Sequence, residues 1–255
     1  MKQSQAKKRD NAMTNKILMG LIALVLGLLF LEILIVHSKN EQQKNASNQV
    51  QTARIMANGD LLYHDGLYMS ALQSDGSYDF TENFTYVKPW LKQADLVLGD
   101  FEGTINPDYP LSGYPLFNAP QSVTAAIKDA GYDVMDLAHN HILDSGLEGA
   151  FTTADAFKEV GIDPVGVYEN PVRDKAPLFI KNVNGIKVAI LSYAYGFNGL
   201  ESNLTEKEIA NHLSNLDEKR MKVEIERAEK EADVTVIMPQ MGVEYRLEPT
   251  DEQVK

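Results

Sequence analysis

From Ala53 onward, short apolar runs alternate with stretches of helical spacing, and each run ends in small or polar residues. The runs are ARIMANGD (53–60), ADLVLGDFE (94–102), YDVMDLAHNH (132–141) and ADVTVIMPQ (232–240). Their length and composition read as strands, with helices expected around Phe84–Gln93, Ser122–Ala130 and Leu216–Glu231. Between them, PLFIKNVNGIKVAILSY (177–193) reads as two strands turning at Asn184-Gly185, a strong hairpin signal. Strands alternating with helices predict an α/β sheet. The segment Asn106–Pro120 carries four prolines and is expected to be a long functional or mobile loop.

In open α/β sheets, sites form at the carboxyl ends of strands. Four such ends are polar here: Asp60; Asp100 with Glu102; His139, Asn140 and His141; and Gln240. Because turns are polar in any fold, one such end means little. Four of them, two carrying carboxylates and one carrying paired histidines, predict a shared site.

The amino-terminal pattern is different. Residues 17–36, ILMGLIALVLGLLFLEILIV, form a twenty-residue apolar run broken only by Glu32 and preceded by Lys2, Lys7, Lys8, Arg9 and Lys16. A run of that length can span a bilayer as a helix, with its basic flank on the cytoplasmic side. A cleaved signal peptide is the competing reading, but no Ala-x-Ala site follows. The expected organisation is a basic cytoplasmic tail (1–16), a transmembrane anchor (17–36), a polar linker (37–51) and an outward-facing domain (52–255) at the cell membrane. Beyond residue 36 the chain holds 19 basic and 34 acidic residues. So acidic a domain lacks the basic footprint of a nucleic-acid binder.

The chain has no cysteine, which excludes disulfides, thiolate metal sites and a cysteine nucleophile. Asp60, Glu102, Asn140 and His141 have the donor chemistry for a divalent ion such as Mn, Mg, Zn or Fe. Each also has an ordinary reading. Asp60 could cap a turn, Glu102 could be a loop acid, and His139 could be a core histidine, because alternating side chains do not all face one pocket. His64 sits in a turn-like stretch and His212 in a polar helical one, neither with a clear role. There is no H-E-x-x-H, nucleophile elbow, P-loop or dinucleotide fingerprint. A two-carboxylate glycosidase using Asp60 and Glu102 would leave the His-Asn-His stretch without a role.

Six stretches taken in order, GDLLYHDG, ADLVLGDFEGTI, YPLFNAP, YDVMDLAHNHILDSG, NGIKVAILSYAYGFNG and MGVEYRLEPTDEQVK, carry a resemblance over roughly residue 53 to the last residue. The chain resembles the CapA family of capsule or poly-γ-glutamate synthesis proteins, whose domain is similar to the metallo-dependent (calcineurin-like) phosphatases. That resemblance implies a metallophosphatase-like layered α/β sandwich, here an incomplete one, behind one transmembrane helix. It implies Asp60, Glu102 and Asn140 as metal ligands and His141 as an acid or oxyanion stabiliser. His139 stands where Asn is frequent, and either adds a ligand or is tolerated. Gln240-Met241 stands where many relatives have His-Trp, so a metal-binding histidine expected there is missing. Relatives continue beyond Lys255 with further strands and a Gly-His-Pro-His segment, which makes this chain read as the first part of a domain with an exposed sheet edge.

The implied role is a membrane-anchored component of capsule or poly-γ-glutamate synthesis, with an anionic surface polymer or its synthesis machinery as partner and no nucleic acid. Metal-assisted hydrolysis or transfer is one expectation for it. A non-catalytic assembly subunit is another, and a metal-dependent phosphoesterase unrelated to capsule is a third.

Overall fold

A computed structural model of the chain describes residues 28, 31–39, 50–243 and 245–254. The chain divides into two units, Met1–Val50 and Gln51–Lys255. In the first, residues 31–39 are helical with exposed side chains. Among the described residues no helix is long and apolar enough to cross a membrane. Residues 1–16, most of the expected anchor and most of the linker lie outside the described residues.

The second unit is built on two sheets. In the first sheet β1 (Ile55–Asp60), β2 (Leu96–Asp100), β3 (Val134–Asp136) and β4 (Asp163–Val165) run parallel in the order β1-β2-β3-β4. In the second, β5 (Ile180–Val183) and β6 (Ile186–Ala194) form the expected hairpin, and β7 (Val234–Gln240) adds parallel to β6. Asn184 and Gly185 both take positive φ at the turn, the backbone that an Asn-Gly pair accommodates with least strain.

Period-two alternation sorts the side chains into layers. Leu96, Leu98 and Val134 of the first sheet meet Val183, Val188 and Ile190 of the second. On the outer face of the first sheet, Val97 and Met135 pack on α3 (Ser122–Ala130) and α4 (Gly146–Glu159) through Val123, Ile127, Ala154 and Phe157. On the outer face of the second sheet, Ala189, Leu191 and Tyr193 pack on α6 (Glu218–Glu231) through Met221, Ile225 and Ala228. The order is therefore helix, sheet, sheet, helix. Gly99 lets β2 pass close to Tyr132, because a Cβ there would lie 2.8 Å from that ring.

Shorter helices complete the unit: α1 (Asp65–Ala71), α2 (Lys88–Leu91), α5 (Glu206–His212) and α7 (Asp251–Val254). The expected helix at Phe84–Gln93 shrinks to α2, with Pro89 in its first turn and a 3₁₀ turn, Thr81–Phe84, before it. The third strand is shorter than its apolar run. The Asp136 carboxylate accepts the Ala138 N–H at 2.8 Å, and the chain turns out of the sheet before it reaches His139. Helix α6 starts at Glu218 because Asp217 caps it, accepting the Arg220 N–H at 2.9 Å. Among the described residues β7 is an edge strand, with Val234 and Ile237 partly exposed.

Candidate functional site

The carboxyl ends of β1, β2 and β3 lie side by side, with Asp60 opposite Asp100 and Asp100 opposite Asp136 in register. A register shift between Ala57 and Asp60 bends the end of β1. This local geometry brings one oxygen each of Asp60, Asp100 and Glu102 within 4.8 Å of one another. Asp100 and Glu102 are buried, and Asp60 is exposed at the mouth.

This is an acid corner with too little compensation. Among the described residues no Lys or Arg pairs with Asp60 or Asp100, and Asp100 Oδ1 is buried without a hydrogen-bond partner. Burial raises the Asp100 pKa far above the carboxylate range, and the charges of Asp136, Asp60 and Glu102 add to the rise. Burial raises Asp136 as well, although hydrogen bonds from Ser192 and the Ala138 N–H pull the other way. Crowded carboxylates with an orphaned buried oxygen fit a hard divalent cation, which would take oxygen donors and cancel their repulsion.

The turn after β3 supplies the second part of the site. His141 Nδ1 lies 2.7 Å from Asp144 Oδ2, which also accepts the Phe117 N–H at 2.6 Å. The carboxylate acts as acceptor in both contacts, which assigns the imidazole proton to Nδ1 and leaves Nε2 facing Glu102 Oε1 at 3.9 Å. Phe117 packs edge-on against the His141 ring with centroids 4.8 Å apart.

Asn140 belongs to a chain of amides. Its N–H donates to Gln240 Oε1 at 2.9 Å, and Gln240 Nε2 donates to Asn140 Oδ1 at 3.0 Å. Asn140 Nδ2 donates to Asn198 Oδ1 at 3.2 Å, and Asn198 Nδ2 lies 3.4 Å from both ring nitrogens of His141. Asn198 has a φ of 54°, a left-handed backbone that Asn tolerates better than most residues.

Of the residues singled out from sequence, Asp60 and Glu102 lie in the acid corner, His141 stands against it, and Asn140 is held in the amide chain. His139 lies apart. It is fully buried, its Nδ1 accepts the His141 N–H at 3.2 Å, and its Nε2 has no partner among the described residues. Burial pushes its pKa down to about 3, so it stays neutral. Sequence reading noted the carboxylate of Asp100 without assigning it a ligand role, and it did not find Asp144 or Asn198. Asp144 could have been found as the acid one turn beyond His141. Asn198 had no signal beyond its Gly-containing loop.

These elements define an α/β protein of two packed sheets with an acidic, amide-flanked site at its strand ends. A family model for the bacterial capsule synthesis protein PGA_cap matches residues 54–255, and the chain belongs to that family. The capsule biosynthesis protein CapA of Bacillus anthracis is 32% identical over 179 residues, covering 67% of this chain and 43% of the relative. The PGA biosynthesis protein CapA of Bacillus subtilis (strain 168) is 26% identical over 250 residues, covering 96% of this chain and 63% of the relative. The chain thus spans about half the length of these curated relatives. A Staphylococcus aureus crystal structure, described as a candidate 5'-nucleotidase in complex with alpha-ketoglutarate, superposes with a TM-score of 0.47. It is 14% identical and covers 77% of this chain and 39% of its own, a likeness too loose to transfer chemistry.

Proposed function

We propose that this chain acts in capsule or poly-γ-glutamate synthesis, held at the cell membrane by its apolar amino-terminal run with residues 52–255 facing outward. Family membership and the two CapA relatives support the pathway. The run at residues 17–36 and its basic flank support the location. The two-sheet layering with acids at the strand ends supports a metallophosphatase-like reading of the fold. The proposed partner is the anionic polymer or its synthesis machinery, and the acidic charge beyond residue 36 argues against nucleic acid.

The observation that carries a chemical role is the convergence of Asp60, Asp100 and Glu102 within 4.8 Å beside His141. Asp60, Asp100 and Glu102 would hold a divalent cation, which supplies Lewis-acid polarisation of a phosphoryl or carbonyl oxygen when bound. Asp144 fixes the His141 tautomer, so that Nε2 carries the lone pair that can take a proton, or return one to a leaving group. Phe117 and Asn198 restrain the imidazole from two sides. The reaction class is hydrolysis or transfer at a phosphoester or amide bond.

A second reading, a non-catalytic assembly subunit, is favoured by one contact. The side-chain oxygen of Asn140, expected to be a ligand, already accepts from Gln240.

Elemental analysis of the purified full chain separates the two readings. About one equivalent of Mn or Zn, lost in Asp60→Ala and Asp100→Asn, is the outcome expected for a catalyst. A folded chain that retains no metal after either ion is supplied would leave the assembly reading.

A further inference from the structure

On the Asp144 side of the site, away from the acid corner, the proline-rich segment wraps a cavity of about 520 Å³ lined by Asp65, Tyr109, Leu111, Tyr114, Leu116 and Asp144 among others. The wall is firmly built. Ser112 and Asn118 exchange N–H···O bonds of 3.1 and 3.0 Å, and Ser112 Oγ donates to Leu116 O at 2.6 Å. The Asn118 amide nitrogen donates to the carbonyls of Asn106, Tyr109 and Pro110. Even so, Tyr109 is 52% and Tyr114 75% exposed. A pinned backbone that presents aromatic and aliphatic side chains to water is an exposed apolar patch of the kind that serves as a binding surface.

The charge of the cavity is one-signed. The Asp144 side chain is 1% exposed, and its Oδ1 has no hydrogen-bond partner among the described residues. Asp65 lies flush against the loop, such that a Cβ on Gly113 would stand 2.5 Å from Asp65 Oδ1. Among the described residues no Lys or Arg forms an ion pair with Asp65 or Asp144. Tyrosine rings and carboxylates lining one cavity are the chemistry that takes up an organic cation.

We propose that this cavity is a subsite for an organic ammonium group. Tyr109 and Tyr114 supply the aromatic wall, Asp65 the charge at the mouth, and Asp144 the acceptor within. The subsite stands whether or not the acid corner holds a metal. Because Asp144 also holds His141, an ammonium bound here sits one side chain away from the proposed chemistry. Two sources carry such a group, the free α-ammonium of a glutamyl chain and that of an amino sugar.

The test is calorimetric titration of the full chain, at low salt and with chelator present, using butylammonium chloride and the neutral butan-1-ol. Butylammonium is expected to bind and the alcohol not to. Tyr114→Ala should weaken binding by about threefold to fivefold, as loss of one partly exposed cation–π contact does. Asp65→Asn should weaken it by about twofold to fivefold. Both residues lie outside the proposed catalytic machinery and on the surface, so the variants remain folded. γ-Glutamylglutamate and glucosamine then distinguish the two sources, and tighter binding of either supports the subsite. Equal binding of ammonium and alcohol, or a double variant that binds butylammonium like the unaltered chain, overturns it. A metal content of zero would defeat the catalytic reading and leave this result untouched.

Discussion

Arg173 is the most informative residue to remove, because its guanidinium is almost wholly out of water. Its side chain is 1% exposed, and it grips Glu224 through Nε–Oε1 and Nη2–Oε2 contacts of 3.1 and 2.9 Å. Nη1 donates to the Leu213 carbonyl at 3.0 Å, and the guanidinium carbon lies 5.6 Å from the Tyr193 ring centre. Arg173→Ala removes the fork and leaves the Leu213 carbonyl without this donor. Truncating one member of a buried pair costs about 3–5 kcal/mol. Glu224 is 21% exposed and keeps the Tyr193 hydroxyl at 2.8 Å, so water and that hydroxyl offset part of the loss. The expected destabilisation is therefore about 3 kcal/mol, at the lower end of that range. For a unit of this size it corresponds to a fall in Tm of roughly 6–12 °C. Urea unfolding followed by circular dichroism reads the difference directly, at constant slope. Arg173→Lys should fall between, keeping the charge but losing the planar fork. A loss below about 1 kcal/mol for Arg173→Ala would refute the reasoning, because it would mean the pair behaves as a hydrated surface contact.

Other outcomes follow from single side chains. Phe157 is fully buried and meets Phe101 edge-on with centroids 5.1 Å apart, so Phe157→Ala should cost about 3–5 kcal/mol in the same urea assay. Asp100 has a raised folded pKa, so in the cation-free chain the native state keeps a proton that the unfolded chain releases, and stability falls as pH rises above the unfolded value. With chelator present, Asp100→Asn should thus exceed the parent in stability at about pH 8 and match it near pH 4, read from urea midpoints. Asp144→Asn removes the carboxylate that fixes His141, and ¹⁵N spectra should show the ring passing from the Nδ1–H form to a mixture of tautomers. If a hydrolytic activity is present, the same variant should lower kcat about 100-fold.

The alternation of apolar runs was enough to find all four strands read from single runs and the hairpin, because each run is short, apolar and closed by small or polar residues. The acids at the ends of β1 and β2 were legible for the same reason: a carboxylate closing an apolar strand is conspicuous. The length of β3 was not legible, since Leu137 and Ala138 continue the apolar pattern while the Asp136 side chain turns the backbone out of the sheet. The fate of His139 was not legible either. Two histidines separated by one residue look equivalent in a sequence, and only the turn, which buries both, aims one of them at Glu102. Asp144 lay beyond the strand-end window, and Asn198 comes from a loop whose position depends on the second sheet. Tertiary contacts decided these cases, through partners that local spacing does not contain.

The bond between Asn140 and Gln240 has a bearing on the order in which the site can form. It joins residues 100 apart in sequence, whereas the Asp144–Phe117 contact spans only 27. Asp60, Asp100, Glu102 and the His141–Asp144 pair all come from the first sheet and the turns that follow its strands, so a growing chain can gather them early. The amide chain waits for β7, and such distant closures are the slow steps of folding. Until β7 has joined β6, Asn140 lacks its partner. The last amide of the site is therefore set by the strand at the far end of the chain, and any change that loosens β7 from β6 releases the Asn140 side-chain oxygen without touching the acids.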